Sequence, residues 1–191
     1  VGRLPGCTAE DSDAVGAYFQ SLLEGEETWG RLPKDQWPSH WHARYYNPYV
    51  RLRLSLYGHP MAGLHWENHC RRILLSQGFL PVKGWECLYQ HKAQQLSLSV
   101  YVDDFKMAGN SQNLKSMWEK LRKAGMELED PVPSSENVYL GCDQEPLDIP
   151  QDIIEEKSRI FRNIFYADNW TKAHLDPSQD GKLPDNHELL D

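Results

Sequence analysis

The sequence predicts an α+β fold. Two observations carry that expectation: short stretches whose apolar residues alternate with period two, as half-buried antiparallel strands do, and longer stretches whose apolar residues recur every three to four positions, as amphipathic helices do. Gly and Pro punctuate the boundaries between them.

Tyr49 to Tyr57 alternates throughout. Val50, Leu52, Leu54 and Leu56 fall on one side and Tyr49, Arg51, Arg53, Ser55 and Tyr57 on the other, which predicts a half-buried strand with a basic face. Gly58-His59-Pro60 breaks it. From about Ala62 to Gln77, Trp66, Cys70, Ile73 and Leu74 fall at helical spacing, and Gly78 supplies a C-terminal stop. Trp85 to Tyr89 reads as a short strand, His91 to Gln95 as a turn, and Leu96 to Val102 as a second alternating strand, so a hairpin follows. After Asp103-Asp104, Phe105 to Ala108 returns as another strand. Gly109-Asn110-Ser111 then opens a helix carrying Leu114, Met117, Trp118 and Leu121, and Gly125 closes it. Pro131 and Pro133 mark a loop, and Asn137 to Cys142 reads as a short strand. Pro150 starts a helix over 150–166 with Ile153, Ile154, Ile160, Phe161, Ile164 and Phe165 on one face, and residues 167–191 form a polar tail.

Composition narrows the class. With 40% apolar and 25% charged residues in 191, the chain is an ordinary globular one, and no run approaches the roughly 18–20 apolar residues of a membrane span, so no membrane partner is expected. Cys7, Cys70, Cys87 and Cys142 lie far apart without a C-x-x-C pair, which argues against a zinc ribbon or a disulfide scaffold and for a reducing intracellular compartment, cytoplasmic or nuclear. The start at Val1, with neither initiator Met nor signal peptide, reads as an internal piece of a longer protein. The formal charge of −8 is uneven, since residues 31–125 hold fourteen Lys and Arg against six Asp and Glu while both flanks are acidic. A basic middle of this kind suits a phosphate backbone whatever the total charge; it also suits an ordinary solvated surface.

The chemistry points to Asp103 and Asp104. They follow directly on an alternating apolar strand, and period two puts Tyr101 and Asp103 on the face opposite Leu96, Leu98, Val100 and Val102. Carboxylates presented at a sheet surface suit Mg²⁺, which is usually held by one or two carboxylates together with substrate phosphates. Taken alone, Asp-Asp is also good turn chemistry.

Tyr101-Val102-Asp103-Asp104 resembles the Y-x-D-D signature of reverse transcriptases. Upstream, Asp13-Ala14-Val15-Gly16-Ala17-Tyr18 resembles their first carboxylate motif, D-x-x-x-A-[YF], trailed by Glu26 to Pro33. Ser55-Leu56-Tyr57-Gly58 to Trp66 is similar to the S-L-Y-G-L-K-Q-A-P-R-A-W stretch of copia-type retrotransposon polymerases, and Val138 to Cys142 to their F-L-G-I element. Four motifs occur in the family's order over roughly residues 7–145. The resemblance implies a right-hand polymerase palm over 1–149, with part of the fingers at about 33–61, and a helix over 150–166 leading toward a missing thumb. It implies RNA-directed DNA polymerisation on an RNA or DNA template with a primer, using deoxynucleoside triphosphates and two Mg²⁺ ions, with Mn²⁺ possible, inside a polyprotein with further retroelement modules.

Site residues follow from the same resemblance. Asp13, Asp103 and Asp104 would be the catalytic metal ligands. Tyr18 would pack under the incoming sugar and exclude a 2′-OH, and Ala17, Tyr57 and Tyr101 would line the nucleotide site. Arg51 and Arg53 are candidates for template or phosphate contact. Pro60, Met61 and Gly63 depart from the second motif, and the polar residues 6–12 stand where the family has an apolar strand. Asp11 is thereby a rival ligand, expected to point away from the site. His65-x-x-x-His69-Cys70 would suit zinc or a polar helix face, and His40-x-His42 would suit template stacking or a loop held by its own aromatics. A domesticated protein that binds nucleic acid without catalysis, and a carboxylate enzyme of another class such as a nucleotide cyclase, remain alternatives.

Overall fold

The computed structural model describes residues 1–144 and 148–166; the polar tail expected over 167–191 lies outside them. In chain order the elements are β1 (Cys7–Asp13), β2 (Trp29–Gly30), β3 (Val50–Arg51), α1 (Ala62–Ser76), β4 (Leu80–Pro81), β5 (Leu88–His91), β6 (Leu96–Tyr101), β7 (Asp104–Asn110), α2 (Ser111–Lys123), β8 (Val132–Pro133), β9 (Val138–Tyr139), β10 (Cys142–Asp143) and α3 (Gln151–Tyr166). Six strands form one antiparallel sheet in the order β4-β5-β6-β7-β1-β8, which makes an α+β fold.

The helices arise where the periodicity predicts. On α1, Trp66, Cys70, Ile73 and Leu74 are buried, and Gly78, at φ 87, ends the run. On α2, the Asn110 side chain accepts a bond from the Gln112 amide at 3.1 Å, and Leu114, Met117, Trp118 and Leu121 are buried. Lys120, Arg122 and Lys123 in its last turn complement the helix dipole. Both faces meet Leu96, Leu98, Val100, Phe105 and Met107 from β6 and β7, with Phe79 and Met126 closing the cluster. On α3, Ile153 and Ile160 stay exposed, Ile154 and Phe161 are half-buried, and the side chains of Ile164 and Phe165 lie outside the described set.

β1 departs from the sequence reading. It is an interior strand of the main sheet although its residues, C-T-A-E-D-S-D, are poor strand formers. Its half-buried and buried polar groups have partners: Trp118 donates to the half-buried Glu10 at 2.8 Å, Lys106 reaches the buried Asp11 at 3.0 Å, and the buried Ser12 hydroxyl donates to the Glu129 carbonyl at 2.8 Å. Tertiary pairing has overridden propensity.

Three further expectations are corrected. The stretch 49–57 forms only the two residues of β3, paired with β2, and an isolated bridge between Leu54 and Leu22. With so short a partner the ladder cannot extend. Leu54 and Leu56 are exposed, and it is Ser55, from the expected polar face, that is fully buried against His65 at 3.2 Å. Asn137 to Cys142 is a tight hairpin rather than one strand, because Leu140 and Gly141 both adopt positive φ, the two-residue turn that joins β9 to β10. The strand expected at 85–89 sits at 88–91. The segment 33–61 is mostly short turns around a cluster in which Trp37 packs against Trp41 and His42, so this loop is held by its own aromatics.

Candidate active site

β6 and β7 are joined by the two residues Val102 and Asp103, with Tyr101 opposite Asp104. Val102 has φ 54 and Asp103 does not share the positive sign, the pattern of a type II′ turn. That conformation favours glycine, and a β-branched residue there costs about 1–3 kcal/mol. Two hydrogen bonds grip the turn. The Trp66 indole donates to the Val102 carbonyl at 2.6 Å, and the Ala14 amide donates to the Asp103 carbonyl at 2.7 Å.

The second of these bonds carries β1 to the turn. In register, Asp13 stands directly opposite Asp104, so the two side chains share a face of the sheet, and Tyr101, opposite Asp104 on the other side, shares it too. Asp103 sits in the turn itself; it is Asp104, not Asp103, that shares the strand face with Tyr101. Burial first, and then repulsion from Glu129, Asp103 and Asp11, pushes the Asp13 carboxyl above the ordinary range. Burial and then Asp103, Asp13 and Asp11 do the same for Asp104. The three acids therefore feel one another, and a cation between them would relieve that repulsion.

Asp11 does not point away. It lies on the Asp13 face, two residues deeper and 1% exposed, where Lys106, the Ser134 hydroxyl at 2.6 Å and Gln144 at 2.8 Å occupy its oxygens. With its charge already matched, it is no free ligand. Lys106 also lies 4.7 Å from the Tyr139 ring and hydrogen-bonds Gln144, so one ammonium ties β7 to the β9–β10 hairpin. Sequence reasoning missed Lys106, although period two from Asp104 places it on the acidic face.

Gly16, at φ 58, turns the chain after β1 into a short 3₁₀ helix, Ala17–Gln20. Tyr18 is half-buried, with its ring 4.4 Å from that of Tyr57, and Phe19 meets Tyr57 at 5.7 Å. Burial, Asp103 and Tyr18 together push the Tyr57 hydroxyl upward, so Tyr57 faces the acidic turn. Tyr57 and Tyr101 are more than half open to solvent or close to it, at 50% and 58%. Ala17 is wholly buried in the core and is corrected from a nucleotide contact to a packing residue beneath Tyr18. Arg51 is paired with Glu27 at 2.8 Å, both half exposed, and Arg53 is exposed. His65 is spent on Ser55, and His69 stacks on Trp66, and among the described residues no third ligand joins them to hold a zinc ion.

The donor set suits Mg²⁺ in kind, being three carboxylates at an open sheet end. Among the described residues, however, no three His, Cys, Asp or Glu side chains are gathered closely enough to hold an ion unaided. Substrate phosphates commonly complete such a shell.

No protein-family model matches the chain. It is 32% identical over 84 residues, 44% of its length, to the Transposon Ty1-DR4 Gag-Pol polyprotein of Saccharomyces cerevisiae (strain ATCC 204508 / S288c). The chain resembles part of a retrotransposon Gag-Pol polyprotein. The TyH3 Gag-Pol polyprotein of Saccharomyces cerevisiae matches at the same identity and coverage, and the Ty1-MR1 polyprotein at 31%. The match spans 5% of the length of each relative. No described helix is long and apolar enough to cross a membrane.

Proposed function

We propose that the chain is the palm, with part of the fingers, of an RNA-directed DNA polymerase carried in a retrotransposon polyprotein. One observation carries the reading: strand register sets Asp13 against Asp104 while the intervening turn presents Asp103 beside them. Adjacent strands holding three mutually repelling carboxylates, in the order of the Y-x-D-D and D-x-x-x-A-Y motifs, are what two-metal nucleotidyl transfer needs. The partners are then a template with its primer, deoxynucleoside triphosphates, and the other modules of the polyprotein.

Asp13, Asp103 and Asp104 would hold Mg²⁺, which when bound supplies charge neutralisation at the triphosphate and lowers the pKa of the primer 3′-OH. The residues of the chain do the positioning. Tyr18, backed by Tyr57, forms an aromatic floor under the sugar of the incoming nucleotide, and the exposed Tyr101 lines the nucleotide site beside Asp104. Arg53, and Arg51 once released from Glu27, would meet template phosphates.

Extension of a labelled DNA primer on RNA and DNA templates tests the proposal. The expected result is Mg²⁺-dependent or Mn²⁺-dependent extension that Asp103→Asn lowers by roughly a thousandfold, the scale of losing one electrostatic stabiliser of developing charge. Salt-sensitive primer-template binding with no extension under either metal would favour a domesticated, non-catalytic nucleic-acid binder. Extension that survives Asp103→Asn would refute the site.

A further inference from the structure

Val102 is a β-branched residue held at φ 54 in the turn that carries Asp103. Such a conformation persists only where its surroundings impose it. Packing alone does not, because Val102 is 38% exposed and its underside borders a cavity of about 220 Å³, shared with Tyr18, Trp66, Cys87 and Tyr89. Two hydrogen bonds from outside the hairpin reach the turn, from the Ala14 amide to the Asp103 carbonyl and from the Trp66 indole to the Val102 carbonyl, and of these it is the Trp66 bond that falls on Val102 itself.

Trp66 is well placed to impose a geometry. It is 3% exposed, and its indole N–H, a donor only, must find a partner when buried. The ring is fixed on both sides, stacked on His69 at 5.8 Å and 21° and set edge-on to Phe105 at 6.5 Å. Phe105 follows Asp104 directly. Trp66 therefore holds the hairpin before the acid pair, through the Val102 carbonyl, and after it, through the Phe105 ring, while α1 anchors it to the core.

We infer that Trp66 is a positioning residue for the acidic turn: its indole N–H holds Val102 at its positive φ and so keeps Asp103 beside Asp13 and Asp104. The geometry of the turn stands on its own contacts. The consequence for cation binding rests on the proposed polymerase reading.

The test uses the full chain with Trp66→Phe, Val102→Gly and the double variant. Two quantities are measured: hydrogen exchange at the Ala14 amide, which donates to Asp103, and binding of Mn²⁺ alone by electron paramagnetic resonance. Trp66→Phe keeps a ring in place and deletes the donor, so Ala14 exchange should quicken and Mn²⁺ affinity should fall, each by about tenfold, the scale of one hydrogen bond. Val102→Gly, which removes the strain the indole offsets, should restore both in the double variant to within about threefold of the unaltered chain. A merely structural Trp66 would not be rescued from inside the turn. Unchanged exchange in Trp66→Phe, or no rescue by Val102→Gly, overturns the inference. If Trp66→Phe fails to fold, the Trp66 indole proton in the unaltered chain decides, slow exchange supporting the inference and prompt exchange overturning it. Normal exchange results with no Mn²⁺ binding by the unaltered chain would sink the polymerase reading while leaving Trp66 as the holder of the turn.

Discussion

Asp11 and Lys106 show how one residue pair sets the stability of a polar strand. Asp11 is 1% exposed, and Lys106 is its only cationic partner among the contacts described. Lys106→Met would leave a buried carboxylate with two neutral donors, and breaking a buried pair from one side typically costs about 3–5 kcal/mol. We expect about 3 kcal/mol by urea unfolding, since the lysine side chain is 24% exposed and water can partly replace it. Adding Asp11→Asn should return much of that loss; a double variant as unstable as Lys106→Met would show that the charge pairing is not the cause. Tyr18 carries a different expectation. Tyr18→Val shortens the aromatic floor, so in primer extension deoxynucleotide incorporation should persist while ribonucleotides gain, because exclusion by bulk discriminates through clash. An unchanged ratio would assign Tyr18 to packing against Tyr57 alone.

At the scale of elements, the β6–β7 hairpin is controlled from both ends. The strained turn is at one end and Gly109 is at the other, with φ 153, where a Cβ would lie 2.1 Å from the Gln95 carbonyl oxygen and 3.0 Å from the Leu96 Cα. Both obstacles are backbone, so neither can swing aside. Gly109 also pairs with Leu96 of β6 and Thr8 of β1, so any retreat opens two ladders. Gly109→Ala should therefore destabilise by at least about 3 kcal/mol, or prevent folding. A melting temperature within about 2 °C of the unaltered chain would contradict this.

For the molecule as a whole, acid should weaken the fold through two histidines. Burial, and after it Arg72, holds His69 below its ordinary value, and burial does the same for His91, whose Nδ1 accepts from the Gln94 amide at 3.3 Å and so must be unprotonated. The unfolded chain takes up protons at about pH 6.5 while the native chain lags, so stability is full above that value and falls as the pH drops below it. Asp13 and Asp104 act in the opposite sense, since their raised values make the native state the better proton binder, but only nearer the ordinary carboxylate range of about pH 4. Urea midpoints should hence be flat from about pH 8 to 7 and decline from about 6.5 to 5.5, and His69→Gln with His91→Gln should remove most of that decline. A decline of equal size in the double variant would place its origin elsewhere.

By itself the sequence determined the elements whose pattern is local: α1, α2, β6 and α3 follow from apolar spacing, and the acidic hairpin from a strand ending at Asp-Asp. Through the resemblance of its motifs it also pointed to Asp13, Asp103 and Asp104, and the register sets Asp13 opposite Asp104. Only the tertiary structure decided the rest. β1 is a strand because Trp118, Lys106 and the Glu129 carbonyl answer its polar groups, partners 108, 95 and 117 positions away that no local window contains. Residues 49–57 alternate perfectly yet form almost no strand, because a ladder needs a partner of equal length and β2 offers two residues. Trp66 reads as one more apolar position on a helix. Its indole meets the strained carbonyl 36 residues on only once α1 packs beneath the turn, since hydrogen-bond partners are chosen by proximity in space and periodicity records only which face is dry.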